Sequence, residues 1–361
     1  MKSIPYGIDF IASEIMPTIY DVAEQAGVAP ATVSRVINES GYVSAETRLR
    51  VRRAIDDLKY TPNRLARGLR SKQTQTLGLV VTDITNPFWT TVARGVEDAA
   101  SKAGFSVILC NTDESDAKQD QYANLLLEKQ VDGFLLVPAT RDVTAVTLIQ
   151  ERGVPIVVLD RRMPIPVDTV RGDSEGGAHE LTTHLLSFGH RRIALLGGSV
   201  DVPTAEERVV GYRRALAEAG IAVDESLILN RAFTQQAGYA MTQAVLKMEP
   251  RPTALFAVNN FIAIGATRAL RDAGLRLPED VALVSFDDLP TTLIVEPFLT
   301  VAAQPAYEMG RLATELLLAR ILGEVTGDHK EIILSTELIV RRSSNCPVNR
   351  CDEAPEVFTA G

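Results

Sequence analysis

The stretch Thr18–Asn38, TIYDVAEQAGVAPATVSRVIN, decides how the first part of the chain folds. Thr18, followed three positions later by Asp21, has the form of a capping box that starts a helix. Ile19, Val22, Ala23 and Ala26 then recur on one helical face. Gly27 supplies the positive φ that ends a helix, and Val28 fills the corner behind it. Pro30 suits the first position of a second helix, where a missing N–H costs nothing. On that helix Val33, Val36 and Ile37 face inward. Thr32, Ser34, Arg35 and Asn38 stay outside, with Pro30 and Ala31 at the tip. A third helix is expected over 45–58, with Val51, Ala54, Ile55 and Leu58 inward. Three short helices with a tight middle turn read as a helix-turn-helix, which enters the major groove by the N-terminal end of its second helix. A generic three-helix cap is the competing reading. Polar residues confined to one face, on a basic segment, favour the groove reader. Ala29 stands where Ser or Thr would cap the second helix, a local cost of about 1 kcal/mol.

The charge balance points the same way. The chain of 361 residues carries a net charge of −9, but residues 17–72 hold ten Lys/Arg against six Asp/Glu, a net +4; with −1 on residues 1–16, that leaves −12 for residues 73–361. A small basic module on an acidic body suits local contact with a polyanion. No stretch approaches the roughly 18 uncharged apolar residues of a membrane helix. Residues 1–16, MKSIPYGIDFIASEIM, make a poor signal peptide because Asp9 and Glu14 interrupt the apolar run. A cytoplasmic protein without membrane partners is expected. Residues 1–16 are expected to be a disordered leader or a misassigned start, with translation beginning at Met16. Cys110 ends an apolar run and reads as a buried thiol, whereas Cys346 and Cys351 have no neighbours that suggest a disulfide or a metal.

From Thr76 onward the pattern changes to alternating strand and helix. Apolar runs at 77–81, 105–110, 133–138, 155–160, 192–198, 254–258 and 281–286 alternate with amphipathic stretches at 92–103, 119–130, 175–187, 205–219, 236–248 and 262–273. This is the signature of parallel sheets covered on both faces. The strands are too many for one compact open sheet, so two lobes are expected.

TIYDVAEQAGVAPATVSRVIN, VSAETRLRV and LKYTPNRLARGLR together resemble the headpiece and hinge of the lactose/galactose repressor family, and the resemblance extends from about Pro17 to Arg342. It implies a small all-α helix-turn-helix headpiece plus an α/β, two-lobed core like the periplasmic binding proteins, with parallel sheets and chain crossovers. The expected domains are a headpiece at 17–61, a hinge helix or linker at 62–75, an effector-binding and dimerisation domain at 76–342, and a disordered tail at 343–361. Pro30, Ala31 and Arg35 match the family's base-reading positions. Arg35 also fits on chemistry, because a guanidinium bonds a guanine edge bidentately. Thr32, Ser34 and Asn38 carry donors suited to phosphate. In the hinge, Asn63, Ala66 and Leu69 are the implied DNA contacts. There Leu69 would be a wedge between central base pairs and Ala66 would pack beside its two-fold mate. A homodimer follows, since two headpieces on a two-fold axis read a pseudo-palindrome. The tail lacks a leucine heptad, which argues against a tetramerisation helix.

Ligands of such sheets bind in the crevice at the carboxyl ends of strands. The residues there include Asp83, Asn86, Phe88 and Trp89; Asp160 and Arg161; Thr204, Arg208 and Phe233; Asn259 and Asn260; Asp287, Asp288 and Gln304. Polar side chains that read hydroxyls beside ring faces that stack on apolar sugar surface suit a sugar or sugar derivative. The expected effector set is Phe88, Trp89, Asp160, Thr204, Arg208, Phe233, Asn259, Asp287 and Gln304. Arg171 and Asp173 are further lining candidates, and Asn260 departs from the family's Asn-Asp pair. His179/Glu180 and Glu206/Glu207 read as solvated helix faces. Neither a GxGxxG after the first strand nor a GxxxxGK[ST] is present, and no HExxH. No catalytic residue, cofactor or metal is expected. The chain therefore reads as an operator-binding regulator that represses, with a transporter's solute-binding protein as the alternative. The missing export signal and the basic headpiece weigh against that alternative.

Overall fold

The computed structural model describes residues 17–60, 73–289 and 297–345, which divide into two compact units at Thr74/Gln75. The expected leader, the hinge contacts Asn63, Ala66 and Leu69, Cys346, Cys351 and most of the expected tail lie outside the described residues.

The first unit holds α1 (Ile19–Ala26), α2 (Pro30–Ile37) and α3 (Ala45–Asp57). The capping box forms as the sequence suggests. The Thr18 amide donates to Asp21 Oδ2 at 2.6 Å, and the Asp21 amide donates to Thr18 Oγ1 at 3.4 Å. Gly27 ends α1 at φ 63°, and α2 begins at Pro30 without a side-chain cap on Ala29. Val22, Ala23, Ala26, Val33, Val36, Val51 and Ala54 form a small closed core. That core fixes the tilt of α2 and so decides which side chains it shows.

The second unit carries two six-stranded sheets of one topology. The first comprises β1 (Thr76–Val81), β2 (Ser106–Asn111), β3 (Gly133–Leu136), β4 (Ile156–Leu159), β5 (Asp168–Gly172) and β11 (Glu331–Leu334), in the order β2-β1-β3-β4-β5-β11. The second comprises β6 (Ile193–Gly197), β7 (Ile228–Asn230), β8 (Ala254–Ala257), β9 (Ala282–Phe286), β10 (Thr300–Ala303) and β12 (Glu337–Ile339), in the order β7-β6-β8-β9-β10-β12. The described pairings are parallel except β12 on β10. Among the helices are α4 (Pro87–Lys102), α5 (Asp116–Glu128), α6 (Thr144–Glu151), α7 (Ser174–Ser187), α8 (Pro203–Glu218), α9 (Gln235–Val245), α10 (Asn260–Asp272) and α11 (Ala306–Ile321). The chain passes between the lobes three times: from β5 into α7, from β10 to α11, and from β11 into β12. Lobe 1 is thus completed by α11 and β11, which lie far along the chain.

In two helix pairs, glycines of both helices face the partner's backbone and let the helices approach closely. A Cβ on Gly95 of α4 would lie 2.1 Å from the Tyr307 carbonyl oxygen of α11, and one on Gly310 of α11 would lie 2.1 Å from the Val92 carbonyl oxygen of α4. Gly238 of α9 and Gly265 of α10 repeat this reciprocal arrangement in lobe 2. The α4–α11 clamp sets where the N-terminal ends of both helices stand, which is where the cleft lies.

Several readings need correction. Arg171 does not line the cleft; its Nε donates to Glu331 Oε1 at 2.6 Å within lobe 1. Asp173 is a helix cap, its Oδ1 accepting from the Gly176 amide at 2.8 Å. Asp288 receives both terminal nitrogens of Arg341. Glu206 is exposed as expected, but Glu207 is not part of a solvated face. Glu206 pairs with Arg141 across the lobes, and Glu207 stands 3.8 Å from Arg171 Nη1 and 4.0 Å from Arg162 Nε. Burial holds the Glu207 carboxyl above the usual range. Cys110 is buried and free. No helix among the described residues is long and apolar enough to cross a membrane.

Candidate functional site

The polar floor of the cleft is built twice, once by each lobe. Asp160 follows β4 and Asp287 follows β9, the strands in equivalent places of the two sheets. Both adopt left-handed backbone, at φ 62° and 63°. Both amides donate to the neighbouring strand, Asp160 to the Val170 carbonyl at 2.9 Å and Asp287 to the Ala302 carbonyl at 3.0 Å. An L-residue pays strain for this conformation, and Asp tolerates it better than most. The conformation re-aims each carboxylate at the carboxyl end of its own sheet.

Between the two acids stand Arg208 and Gln304. Arg208 rises from the second turn of α8; its Nη1 donates to the Val258 carbonyl at 2.6 Å, and its guanidinium lies 3.8 Å from the centre of the Phe286 ring. Gln304 sits on the crossover before α11, and its Nε2 donates to Asp287 Oδ1 at 2.8 Å. Burial raises the Asp160 carboxyl above its ordinary range and pushes Asp287 up to about 6, with Arg208 opposing both shifts. Asp160 Oδ1, Gln304 Oε1 and Arg208 Nε are buried and have no hydrogen-bond partner among the described residues. Groups of this kind are costly to bury unless something else meets them.

One wall is aromatic. Asn86 caps α4, its Oδ1 accepting from the Phe88 amide at 3.0 Å, and Pro87 opens the helix. Phe88 and Trp89 follow, edge to face with ring centres 4.8 Å apart. Both are buried members of the lobe 1 core and both also border the cleft. Phe233 faces them from lobe 2, after β7, packed over the backbone of Gly198. Thr204 lies in the first turn of α8, and Asn259 caps α10, its Oδ1 accepting from the Ile262 amide at 2.9 Å.

All nine side chains expected at the effector site border one cavity of about 270 Å³. That is near the lower end of the range for small-molecule sites, about 300–1,000 Å³. Six others on that cavity were missed from the sequence: Thr82, Asp113, Glu114, Ala232, Thr234 and Phe261. Asp113 and Glu114 bring charge. They follow β2, so the rule of strand carboxyl ends would have found them. Glu114 takes both terminal nitrogens of Arg161 at 2.6 and 2.7 Å. Arg161, itself buried, thereby stiffens the wall. Asn260 does not border the cavity. It is fully buried, and its Nδ2 donates to Asn86 Oδ1 at 2.9 Å, joining lobe 2 to lobe 1.

On the headpiece, Ala31, Arg35 and Asn38 are exposed, whereas Pro30, Thr32 and Ser34 are half-buried. Asn38 Nδ2 donates to Ser34 Oγ at 3.2 Å, which orients both side chains on the open face of α2. Tyr20 and Tyr42 are also exposed, the latter at 93%.

Comparison with known proteins gives consistent matches. The family described as "Bacterial regulatory proteins, lacI family" matches residues 18–63, and "Periplasmic binding proteins and sugar binding domain of LacI family" matches residues 74–343. The HTH-type transcriptional regulator CelR of Thermobifida fusca is 40% identical over 335 residues, covering 91% of this chain and 98% of that protein. The HTH-type transcriptional repressor PurR of Photobacterium profundum is 34% identical over 330 residues, again covering 91% and 98%. Among solved structures, the CelR–cellobiose complex superimposes with a TM-score of 0.70 at 38% identity, covering 91% of this chain and 99% of that one. The lac repressor dimer bound to operator and the anti-inducer ONPF superimposes with a TM-score of 0.81 at 28% identity, with the same coverage.

Proposed function

This chain belongs to the LacI family of bacterial regulatory proteins, and on that premise we propose that it is a dimeric, operator-binding transcriptional repressor of the cytoplasm, controlled by a neutral polyhydroxylated ligand. The observation that carries the ligand class is the cleft floor. The carboxylates bordering the cavity, the buried Asp160 and Asp287 with Asp83, Asp113 and Glu114, outnumber its two guanidinium groups, Arg161 and Arg208, so an acidic ligand would add like charge to a desolvated site. Hydroxyl groups satisfy Asp160 Oδ1, Gln304 Oε1 and Arg208 Nε without adding charge, and Phe88, Trp89 and Phe233 offer ring faces to the apolar side of a sugar. The nine bordering residues form the effector site on this reading. The ligand acts by binding one lobe arrangement better than another, a population shift that changes DNA affinity. Dimer formation is supported by exposed apolar side chains, Ile108 and Leu109 on the edge strand β2 and Leu125 on α5. No catalytic role is assigned. A solute-binding protein would share the cleft but has no use for a helix-turn-helix.

The test is a thermal-shift titration of the full chain against neutral sugars (cellobiose first), sugar acids, sugar phosphates and purines. A ligand at 100 times its Kd adds about 2.7 kcal/mol to the native state. Stabilisation by sugar acids or phosphates in preference to neutral sugars would overturn the ligand class.

The headpiece carries its own prediction. On a DNA fragment selected from random sequence by the protein, Arg35→Ala will weaken binding by about 5- to 150-fold, corresponding to about 1–3 kcal/mol per bidentate base contact. Binding to unselected DNA will change far less, since phosphate contacts carry it. Fluorescence anisotropy with both fragments checks this, and equal losses on the two would remove Arg35 from base reading.

A further inference from the structure

The bond between Asn260 and Asn86 has a polarity that the structure determines. The Phe88 amide can only donate, so the atom of Asn86 facing it at 3.0 Å is Oδ1. The same oxygen receives Asn260 at 2.9 Å, so the atom of Asn260 facing it is Nδ2. Both lone pairs of Asn86 Oδ1 are then in use. No bond from Asn86 Nδ2 to a described residue competes with a ligand, and Asn86 borders the cavity beside Phe88 and Trp89. We infer that Asn260 is a positioning residue. From lobe 2 it locks the Asn86 amide so that Nδ2, a donor, is presented to the ligand, and the lock exists only while the lobes are in this arrangement. The inference rests on the effector-site reading of the cleft for its ligand half, and on geometry alone for the lock.

The lock makes a specific demand on residue 260. Asn260 is fully buried, and its Oδ1 has no partner among the described residues. An ionised Asp at this position would set a carboxylate oxygen against Asn86 Oδ1. Asn86 could relieve that only by turning its amide, which would uncap α4 and send an acceptor into the cavity. A protonated Asp would donate and restore the lock. Burial among uncharged partners favours protonation well above the usual carboxylate range. The charged groups bordering the same cavity are Asp83, Asp113, Glu114 and Asp160 with Arg161 from lobe 1, and Arg208 with Asp287 from lobe 2. They are common to variant and parent, so the difference between the two isolates residue 260.

The experiment uses the full chain and four variants, Asn260→Asp, Asn260→Ala, Asn86→Ala and the double variant Asn86→Ala/Asn260→Ala, followed by thermal unfolding at pH 8 and pH 5. Asn260→Asp is expected to lower Tm by roughly 5 °C at pH 8 and to regain most of that at pH 5. Asn260→Ala is expected to lose a similar amount at both pH values. With Asn86 already Ala, the further change Asn260→Ala should cost little, because the lock is gone. An Asn260→Asp deficit that is equal at both pH values, or absent, overturns the lock. For the ligand half, cellobiose is the probe. Asn260→Ala is expected to weaken its binding about tenfold although residue 260 does not border the cavity, and an unchanged affinity overturns the positioning role. A parent protein that does not respond to cellobiose or the other sugars counts against the effector-site reading, while the unfolding comparison still decides the lock.

Discussion

Arg208→Ala will abolish ligand binding and destabilise the folded protein by about 3–5 kcal/mol at pH 8, the usual cost of removing one partner from a buried charged group. Arg208 is the cation common to Asp160 and Asp287, and both acids are already held above their ordinary range by burial. Taking the guanidinium away raises them further. The sign with pH follows. A carboxyl with a folded pKa above its unfolded value favours the native state at low pH, and that advantage is lost as pH rises through the folded value. For Asp287 the parent window runs from 3.8 to about 6, and the variant window extends higher. The loss from Arg208→Ala should therefore be small at pH 5 and large at pH 8. Urea unfolding at the two pH values measures it. A loss independent of pH would mean that Arg208 acts through packing on Phe286 instead of through charge.

Gly310→Val will have the second large effect. The added Cβ would stand 2.1 Å from the Val92 carbonyl oxygen, with helix backbone on both sides and no flexible side chain to yield. Overpacking of this kind typically costs about 1–3 kcal/mol and sometimes more. The functional consequence reaches beyond stability. α4 starts with Phe88 and Trp89, and α11 starts just after Gln304. Pushing the two helices apart moves the aromatic wall away from the polar floor. We expect Tm to fall by roughly 2–5 °C and ligand affinity to fall with it. Affinity that survives a lowered Tm in Gly310→Val would separate the clamp from the cleft.

Much of this was legible in the residues, and the physical reason differs by region. The headpiece is local: its cap, its Gly27 turn and its Pro30 start are each decided within four residues of sequence. The central strands of both sheets are continuous apolar runs, because both faces are covered. Of the edge strands, β2 was legible as an apolar run, whereas β7, β11 and β12 were not. β7 and β12 have three residues each, too few to show a pattern, and β11, with residues alternately exposed and half-buried, pairs with β5, made far earlier in the chain. α11 was passed over although its pattern is strongly apolar; its place in lobe 1 is set by a crossover, which periodicity does not reveal. In the cleft, the rule of strand carboxyl ends brought nine side chains to one cavity, but it also admitted Asn260 and Asp288, which turn to other partners. Glu206 and Glu207 look alike in sequence, yet packing across the lobes gives one an exposed pairing and the other a largely buried one.

The three passages between lobes bear on how the protein is made. Translation delivers β1 to β5 first, then nearly all of lobe 2, and only then α11 and β11. While the ribosome is still producing lobe 2, the sheet of lobe 1 has neither its last strand nor the helix that covers Leu77, Leu135 and Val157. A nascent lobe 1 therefore waits with an open apolar face through well over a hundred residues of synthesis. Truncation before Ala306 would leave both lobes present in outline and the first of them unable to close its core.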